Sequence, residues 1–332
     1  MPALAVAVWV ATRDDGNVTT VVPADPSDVY SPVAAGEPLP DGFFQILPRD
    51  FITPIYAPEF VAGDSAGWPD DADVIGVTLD GEAKAYPLSV LNSSEMVVDE
   101  LAGVPILVTW CPLCGTALVH RRELDGEPVV FGVQGALWLN AMTWWDHDTG
   151  SIWSQPLGEA IAGPLTGRTV ELLPSEFTTW SAWRAGHPDT LALDVDAGPT
   201  GFDLADLFIV VDFGEDVRAY PVSDVRQVGV ANDVVAGLEI AVVSDPADPD
   251  RWAVFSRRVG GDTIVELEVV GSELRDRVTG TTFDPIRGIG LRGDLADEIL
   301  DRLPAFTTFP GGGPTRVPIF EAFWPEGTVW RP

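Results

Sequence analysis

The strongest constraint on this fold is that the chain repeats itself. Ala85-Tyr86-Pro87 returns as Ala219-Tyr220-Pro221, and Asp99 and Gly103 return as Asp233 and Gly237, all at an offset of 134 residues. Asp146-His147-Asp148-Thr149-Gly150 returns as Asp276-Arg277-Val278-Thr279-Gly280 at an offset of 130. Leu173-Pro174 and His187-Pro188-Asp189 are matched later by Leu303-Pro304 and Trp324-Pro325-Glu326. Ordered matches at near-constant offset read as two copies of one unit. The sequence therefore predicts an N-terminal arm over 1–45, a first copy over 46–198 and a degenerate second copy over 199–332. Two copies are too few for a solenoid, so the expectation is one pseudo-symmetric body.

The unit is written in short β-runs. Asp80-Gly81 joins VIGVTL to EAKAYPL, and Asp125-Gly126 joins VHRREL to EPVVFGV. Asp-Gly between apolar runs is the turn chemistry of a tight hairpin. Pro105–Trp110 is a continuous apolar strand. Helical spacing is confined to a short turn over 179–186 and to Leu295–Leu303, LADEILDRL. The fold class is α+β and β-rich, with many short strands and hairpins. Gly288–Gly293 spells a GxGxxG motif but lacks the βαβ context that would give it meaning, and Gly311–Gly313 reads as a flexible loop.

Charge narrows the partners. The 332 residues carry 51 acidic against 19 basic side chains, for a net charge of −32, and Lys84 is the only lysine. Such a chain lacks the clustered cations that displace counterions from nucleic acid, and it is repelled by anionic lipid. At 46% hydrophobic residues it has ample material for a core. Aspartate-rich, lysine-poor composition suits a salt-adapted protein. No apolar run is long enough to span a bilayer. Pro2–Thr12 reads either as the remnant of an export signal or as a first strand.

Comparing the copies separates scaffold from candidate chemistry. Cys111-Pro112-Leu113-Cys114 stands where the second copy has Asp245-Pro246-Ala247-Asp248, and Trp153-Ser154-Gln155 where it has Phe283-Asp284-Pro285. All three histidines, His120, His147 and His187, lie in the first copy with both cysteines. A Cys-x-x-Cys knuckle supplies two thiolates to a metal, and a closed zinc site needs four ligands. His120 and His147 are the candidates to complete it, Met142 is a softer one, and thiolate with imidazole suits copper or zinc. Trp110-Cys111-x-x-Cys114 also fits a thiol-disulfide oxidoreductase, although a hairpin rather than a helix follows it. A third reading is a non-catalytic binding or scaffolding protein with a structural disulfide. Trp145, Asp146, Asp148, Ser151, Trp153 and Gln155 crowd aromatic and polar groups into one segment, as a pocket for a small polar ligand requires. Asp146, Thr149 and Gly150 recur in the second copy, so part of that segment is a turn requirement. His187, in a Gly-His-Pro-Asp turn, reads as structural.

These motifs occur in a familiar order: LPRD, PIY, GEAKAYPL, VTWCPLCGTALV, FGVQG, WDHDTGSIWSQ and TTWSAWRAGHPDT. Together they resemble the bacterial and archaeal domain-of-unknown-function family 3179, most closely over residues 46–195. The resemblance implies an envelope or extracellular location, because relatives often carry export or lipoprotein signals. It matches the family's cysteine pair to Cys111 and Cys114, and its aspartate-to-glutamine segment to Asp146–Gln155. Where relatives carry a His-Glu step, this chain has Ser94-Glu95.

The net charge yields a first expectation. Screening of self-repulsion makes the melting temperature rise between dilute buffer and molar salt. A flat salt profile in a thermal melt would argue against salt adaptation.

Overall fold

The computed structural model describes residues 39–200, 204–261, 263–310 and 319–332. Most of the predicted arm, the apolar run over 2–12 and Gly311–Gly313 lie outside the described residues. The fold is β-rich, as expected, and built from several small sheets. Among the described residues no helix is long and apolar enough to cross a membrane.

The first half opens with the hairpin Asp73–Leu79 and Glu82–Pro87. Asp80 and Gly81 both take positive φ (49° and 86°), the geometry that two-residue hairpins demand. The helix Leu88–Ser94 follows, starting after Pro87. A meander Met96–Leu101, Val104–Cys111 and Thr116–Arg121 comes next, and then a second meander over Phe131–Trp138, Ala141–Asp146, Ile152–Ser154 and Glu159–Ala162. Ser175–Thr179 returns antiparallel to Asp73–Leu79, and Leu191–Leu193 lies parallel to Glu82–Pro87.

Residues 204–332 run through elements in a corresponding order. The hairpin Phe208–Asp212 and Val217–Pro221 leads into the helix Val222–Val228, then into a three-strand and a four-strand meander. Phe306–Thr308 returns antiparallel to Phe208–Asp212, and Thr328–Val329 lies parallel to Val217–Pro221. The repeated Ala-Tyr-Pro and Asp residues play matching parts. Asp99 accepts from Tyr86 Oη at 2.7 Å and Lys84 Nζ at 2.8 Å; Asp233 accepts from Tyr220 Oη at 2.8 Å and Arg218 Nη1 at 2.7 Å.

One sequence expectation needs correction. Leu295–Leu303 is not a helix but a chain of turns with isolated bridges at Ile299 and Arg302. Asp297 takes φ 68°, which interrupts a right-handed helix, and Gly290 packs so closely on the Leu295 carbonyl that a Cβ there would collide with it. The helical spacing of the apolar residues misleads here: Leu300 is buried, whereas Ile299 is 58% exposed. The helix expected over 179–186 does form, as Trp180–Gly186, with Thr179 Oγ1 accepting from the Ala182 amide.

The halves share one core. Ile75, Tyr86, Trp110 and Phe177 pack in the same cluster as Ile209, Tyr220, Val242 and Trp252. Each half also sends its returning strand into the other. Phe306–Thr308 and the residue after it close over the CPLC turn: Phe309 N–H donates to Cys114 O at 2.9 Å, Thr308 Oγ1 to Cys114 O at 3.3 Å and Thr307 Oγ1 to Gly115 O at 3.1 Å. In the opposite sense, Ser175–Thr179 delivers Glu176 to Arg302 (2.8 Å) and Arg251 (3.4 Å), while His187 lies 3.5 Å away. Arg251 also faces Asp245, the counterpart of Cys111, at 3.7 Å.

Burial alone would raise the Glu176 carboxyl, but Arg302, the His187 hydrogen bond and Arg251 outweigh it and hold the group at about 2. This folded value lies below the ordinary 4.5, so the stabilisation is present above pH 4.5 and is lost as pH falls toward 2. Glu176→Gln strands the mostly buried Arg302 guanidinium, leaves Arg251 only Asp245, and is expected to cost about 3–5 kcal/mol in denaturant unfolding at pH 7. A loss below 1 kcal/mol would show that the network does not hold the halves together.

Candidate functional site

The CPLC segment turns from the strand Val104–Cys111 into Thr116–Arg121. Cys114 and Gly115 both donate their N–H to Cys111 O, and Gly115 leaves the turn at φ 64° with no room for a Cβ beside the Phe309 ring. Cys111 and Cys114 form a disulfide with Cα atoms 5.5 Å apart. The sulfurs lie in an apolar cluster with Met96, Leu107, Ala141 and Met142, and the two cysteines are 2% and 0% exposed. Gln155 is consumed beneath this turn. Its Nε2 donates to Thr109 Oγ1 at 3.0 Å and Thr116 O at 3.2 Å, and its Oε1 lies 3.9 Å from Cys114 Sγ.

The proposed metal ligands are not brought together. His120 sits four residues beyond Thr116 on an extended strand, roughly 13 Å along it at about 3.3 Å per residue. It is 1% exposed and edge-on to Trp144 at 5.2 Å. Burial lowers its imidazole to about 3, so it is neutral at physiological pH. His147 lies apart, on the surface beside Tyr56. Among the described residues no group of three or more His, Cys, Asp or Glu side chains is placed to hold a metal ion.

The Asp146–Gln155 segment divides into two populations. Asp146, Ser151 and Trp153 are buried and bonded within their own turn. Asp146 accepts from Thr149 N at 2.6 Å, Thr149 Oγ1 at 3.0 Å and Trp153 Nε1 at 3.0 Å, and Ser151 Oγ accepts from Leu165 N at 3.1 Å. The second half builds the same turn: Asp276 accepts from Thr279 N at 2.8 Å and Oγ1 at 2.7 Å, and Thr281 Oγ1 accepts from Leu295 N at 3.1 Å. These groups make the turn and hold it together from within.

Trp145 and His147 have the opposite orientation. Strand alternation sends Trp144 and Asp146 inward, so Trp145 and His147 point out. The His147 ring stacks on Trp145 with centroids 4.4 Å apart, and His147 Nε2 is 3.2 Å from Tyr56 Oη. The Arg49 guanidinium lies 4.6 Å from the Trp145 ring centroid, with Nε donating to Gln134 Oε1 at 2.8 Å. Trp145 Nε1 donates to Asp50 Oδ1 at 2.9 Å. Asp148 is exposed at the adjacent turn.

Glycines in FGVQG admit this arrangement. A Cβ at Gly132 would strike both Trp145 Nε1 and Asp50 Oδ1, and one at Gly135 (φ 71°) would strike the Leu47 carbonyl. Burial raises the Asp50 carboxyl, opposed by the Trp145 hydrogen bond, His147 and Arg49. Burial lowers the Arg49 guanidinium, opposed by Asp50 and Asp146. Burial, then Asp50, raises the Tyr56 phenol. A cation, a carboxyl, an imidazole and a phenol thus meet around one indole, a set able to bind and orient a small polar molecule.

Arg49, Asp50, Tyr56 and Gln134 were not among the expected site residues. They do lie in the LPRD, PIY and FGVQG motifs that carry the family resemblance, and that is where a signal was available. The second half has Arg275-Asp276-Arg277 where the first has Trp145-Asp146-His147, so the aromatic surface belongs to the first half alone.

Fold and site together define a β-rich, disulfide-braced protein with a polar-aromatic surface cluster. Residues 49–201 match the family described as "Protein of unknown function (DUF3179)". The match begins at Arg49 itself. No curated protein and no solved structure matches the chain.

Glu95, at the position of the family's His-Glu step, ends the helix Leu88–Ser94 at φ 55°, and its carbonyl accepts from Trp110 N at 2.9 Å, one residue before Cys111. Burial raises its carboxyl to about 7. The folded value exceeds the ordinary 4.5, so its favourable contribution is full below pH 4.5 and is lost as pH rises through 7. Glu95→Gln is expected to stabilise the protein by about 1–3 kcal/mol at pH 8 and to be near neutral at pH 4.5. Paired denaturant melts at the two pH values measure this, and an equal effect at both would refute it.

Proposed function

We propose that this is a binding protein of the cell envelope or extracellular space. Its first half holds a small polar ligand on the surface formed by Arg49, Asp50, Tyr56, Trp145 and His147. The observation that carries the reading is the convergence of side chains from separate segments on one outward-facing indole, through the Asp50, Arg49 and His147 contacts. In this reading residues 46–198 are the working copy, and 199–332 are a degenerate copy that completes the core and closes over the CPLC turn.

The Cys111–Cys114 disulfide is then a structural brace. Thiol exchange asks for an accessible sulfur whose thiolate is stabilised, and these sulfurs are buried among apolar side chains at a strand turn. A copper or zinc site has less support, because His120 and His147 are remote from the pair. A local disulfide suits an oxidising compartment, which favours the envelope or extracellular location.

A ligand-observed NMR screen of small polar metabolites tests the reading. Wild type is compared with a Trp145→Ala/His147→Ala variant and a Cys111→Ser/Cys114→Ser variant. Binding is expected to disappear in the first. The second is expected to bind normally while losing about 2 kcal/mol of stability, the value for closing so short a loop. Ligands that survive the first variant, or vanish only in the second, would place the function elsewhere.

A further inference from the structure

We infer that the ligand held by this surface is a small monocarboxylate and that Arg49 is the residue that receives it; the inference rests on the binding reading above. The argument begins with where the protein spends its cations. Among the described residues nearly every basic side chain lies within ion-pairing distance of a carboxylate. The exceptions are Arg49, Arg122 and Arg287. Arg122 is saturated by the carbonyls of Asp99, Ile106 and Val129. Arg287 reaches Gly186 O from an exposed position. Arg49 is packed against the body and, among the described residues, has a single hydrogen-bonded partner, the neutral Gln134 amide.

With 51 carboxylates in the chain, an arginine without one is a notable exception. Asp50, the nearest in sequence, turns its carboxylate to Trp145 Nε1 instead. Arg49 Nη2 is buried with no hydrogen-bond partner among the described residues, so the guanidinium keeps donor capacity that a charged acceptor arriving at it would help to satisfy. Nη1 lies beside Gly150, where a Cβ would come within 3.9 Å of it, so the edge next to that turn is not blocked by a side chain of residue 150. His147 stacks on the same indole and its Nε2 meets Tyr56 Oη, so two further hydrogen-bonding groups adjoin the site.

The charge of the ligand is bounded from above as well. The net charge of −32, with Asp50 at the site and Asp148 near it, penalises a dianion more than a monoanion. The partly exposed rings of Phe51 and Tyr56, close by in the chain, suit an apolar or aromatic body attached to the carboxylate.

Three probes test this by calorimetry or ligand-observed NMR at fixed ionic strength: benzoate, its neutral isostere benzamide, and inorganic phosphate. Benzoate is expected to bind at least about tenfold more tightly than benzamide or phosphate. Two variants should each weaken benzoate by about tenfold or more. Arg49→Gln removes the cation. Gln134→Glu keeps the arginine but supplies an internal carboxylate that competes for it, and a thermal melt of each variant separates loss of binding from loss of fold. Benzamide binding as well as benzoate, phosphate preferred to benzoate, or benzoate unaffected by both variants overturns the inference. Benzamide bound by wild type and lost in Trp145→Ala overturns the carboxylate alone and leaves the binding surface standing. Failure of all three probes overturns the carboxylate inference, while the wider metabolite screen still judges the parent reading.

Discussion

The rest of this structure depends on the reciprocal docking of two returning strands. Each half lays one strand antiparallel on its own opening hairpin and uses the residues at that strand to grip the other half. In one direction the grip is ionic, with Glu176 between Arg302 and Arg251. In the other it is made of hydroxyl and amide donors on the carbonyls of Cys114 and Gly115. Asp245 adjoins the first grip through Arg251, and the cysteine turn carries the second through its carbonyls, so the cysteine turn shares in the mechanical work of joining the halves.

That shared mechanical role reshapes the meaning of the Cys-x-x-Cys motif. In isolation it suggests reactivity or metal ligation. In place, it stiffens a turn on which the second half rests, and Gln155 fills the space below it. The polar-aromatic cluster lies outward, on the other face of the neighbouring meander. There the strand Ala141–Asp146 presents Trp145, and the approach segment carrying Arg49, Asp50 and Tyr56 is drawn onto it by the bare backbone at Gly132 and Gly135. The side chains that bond inward and those that face out alternate along one strand.

Local features of the fold were legible from residues alone. Asp80-Gly81 specifies its turn through two positive φ angles, and Thr179 caps its helix in the way its side chain allows. The Leu295–Leu303 segment misled because apolar spacing is only a periodicity. The left-handed Asp297 and the close approach at Gly290 are tertiary facts that no spacing reports. The site was half legible for a similar reason. Trp145 and His147 sit in a visibly unusual segment, but so do Asp146, Ser151, Trp153 and Gln155, which are buried and hydrogen-bonded within the fold. Arg49 and Asp50 join Trp145 across about 95 residues of chain, a contact that only the closed fold creates.

The position of the disulfide also sets an order of assembly. Cys111 and Cys114 are synthesised well before the segment Phe306–Phe309 that finally covers their turn, and in the closed molecule both sulfurs are hidden from solvent. An oxidant or a disulfide-exchange catalyst needs access to sulfur, so the bond has to form before the apolar cluster of Met96, Leu107, Ala141 and Met142 closes over it. Once that cluster closes, the same burial makes the bond kinetically hard to reduce. The apolar cluster around the sulfurs therefore acts as the seal, the C-terminal strand locks the turn through its carbonyls, and a chain that packs before oxidation would be trapped with its thiols inside.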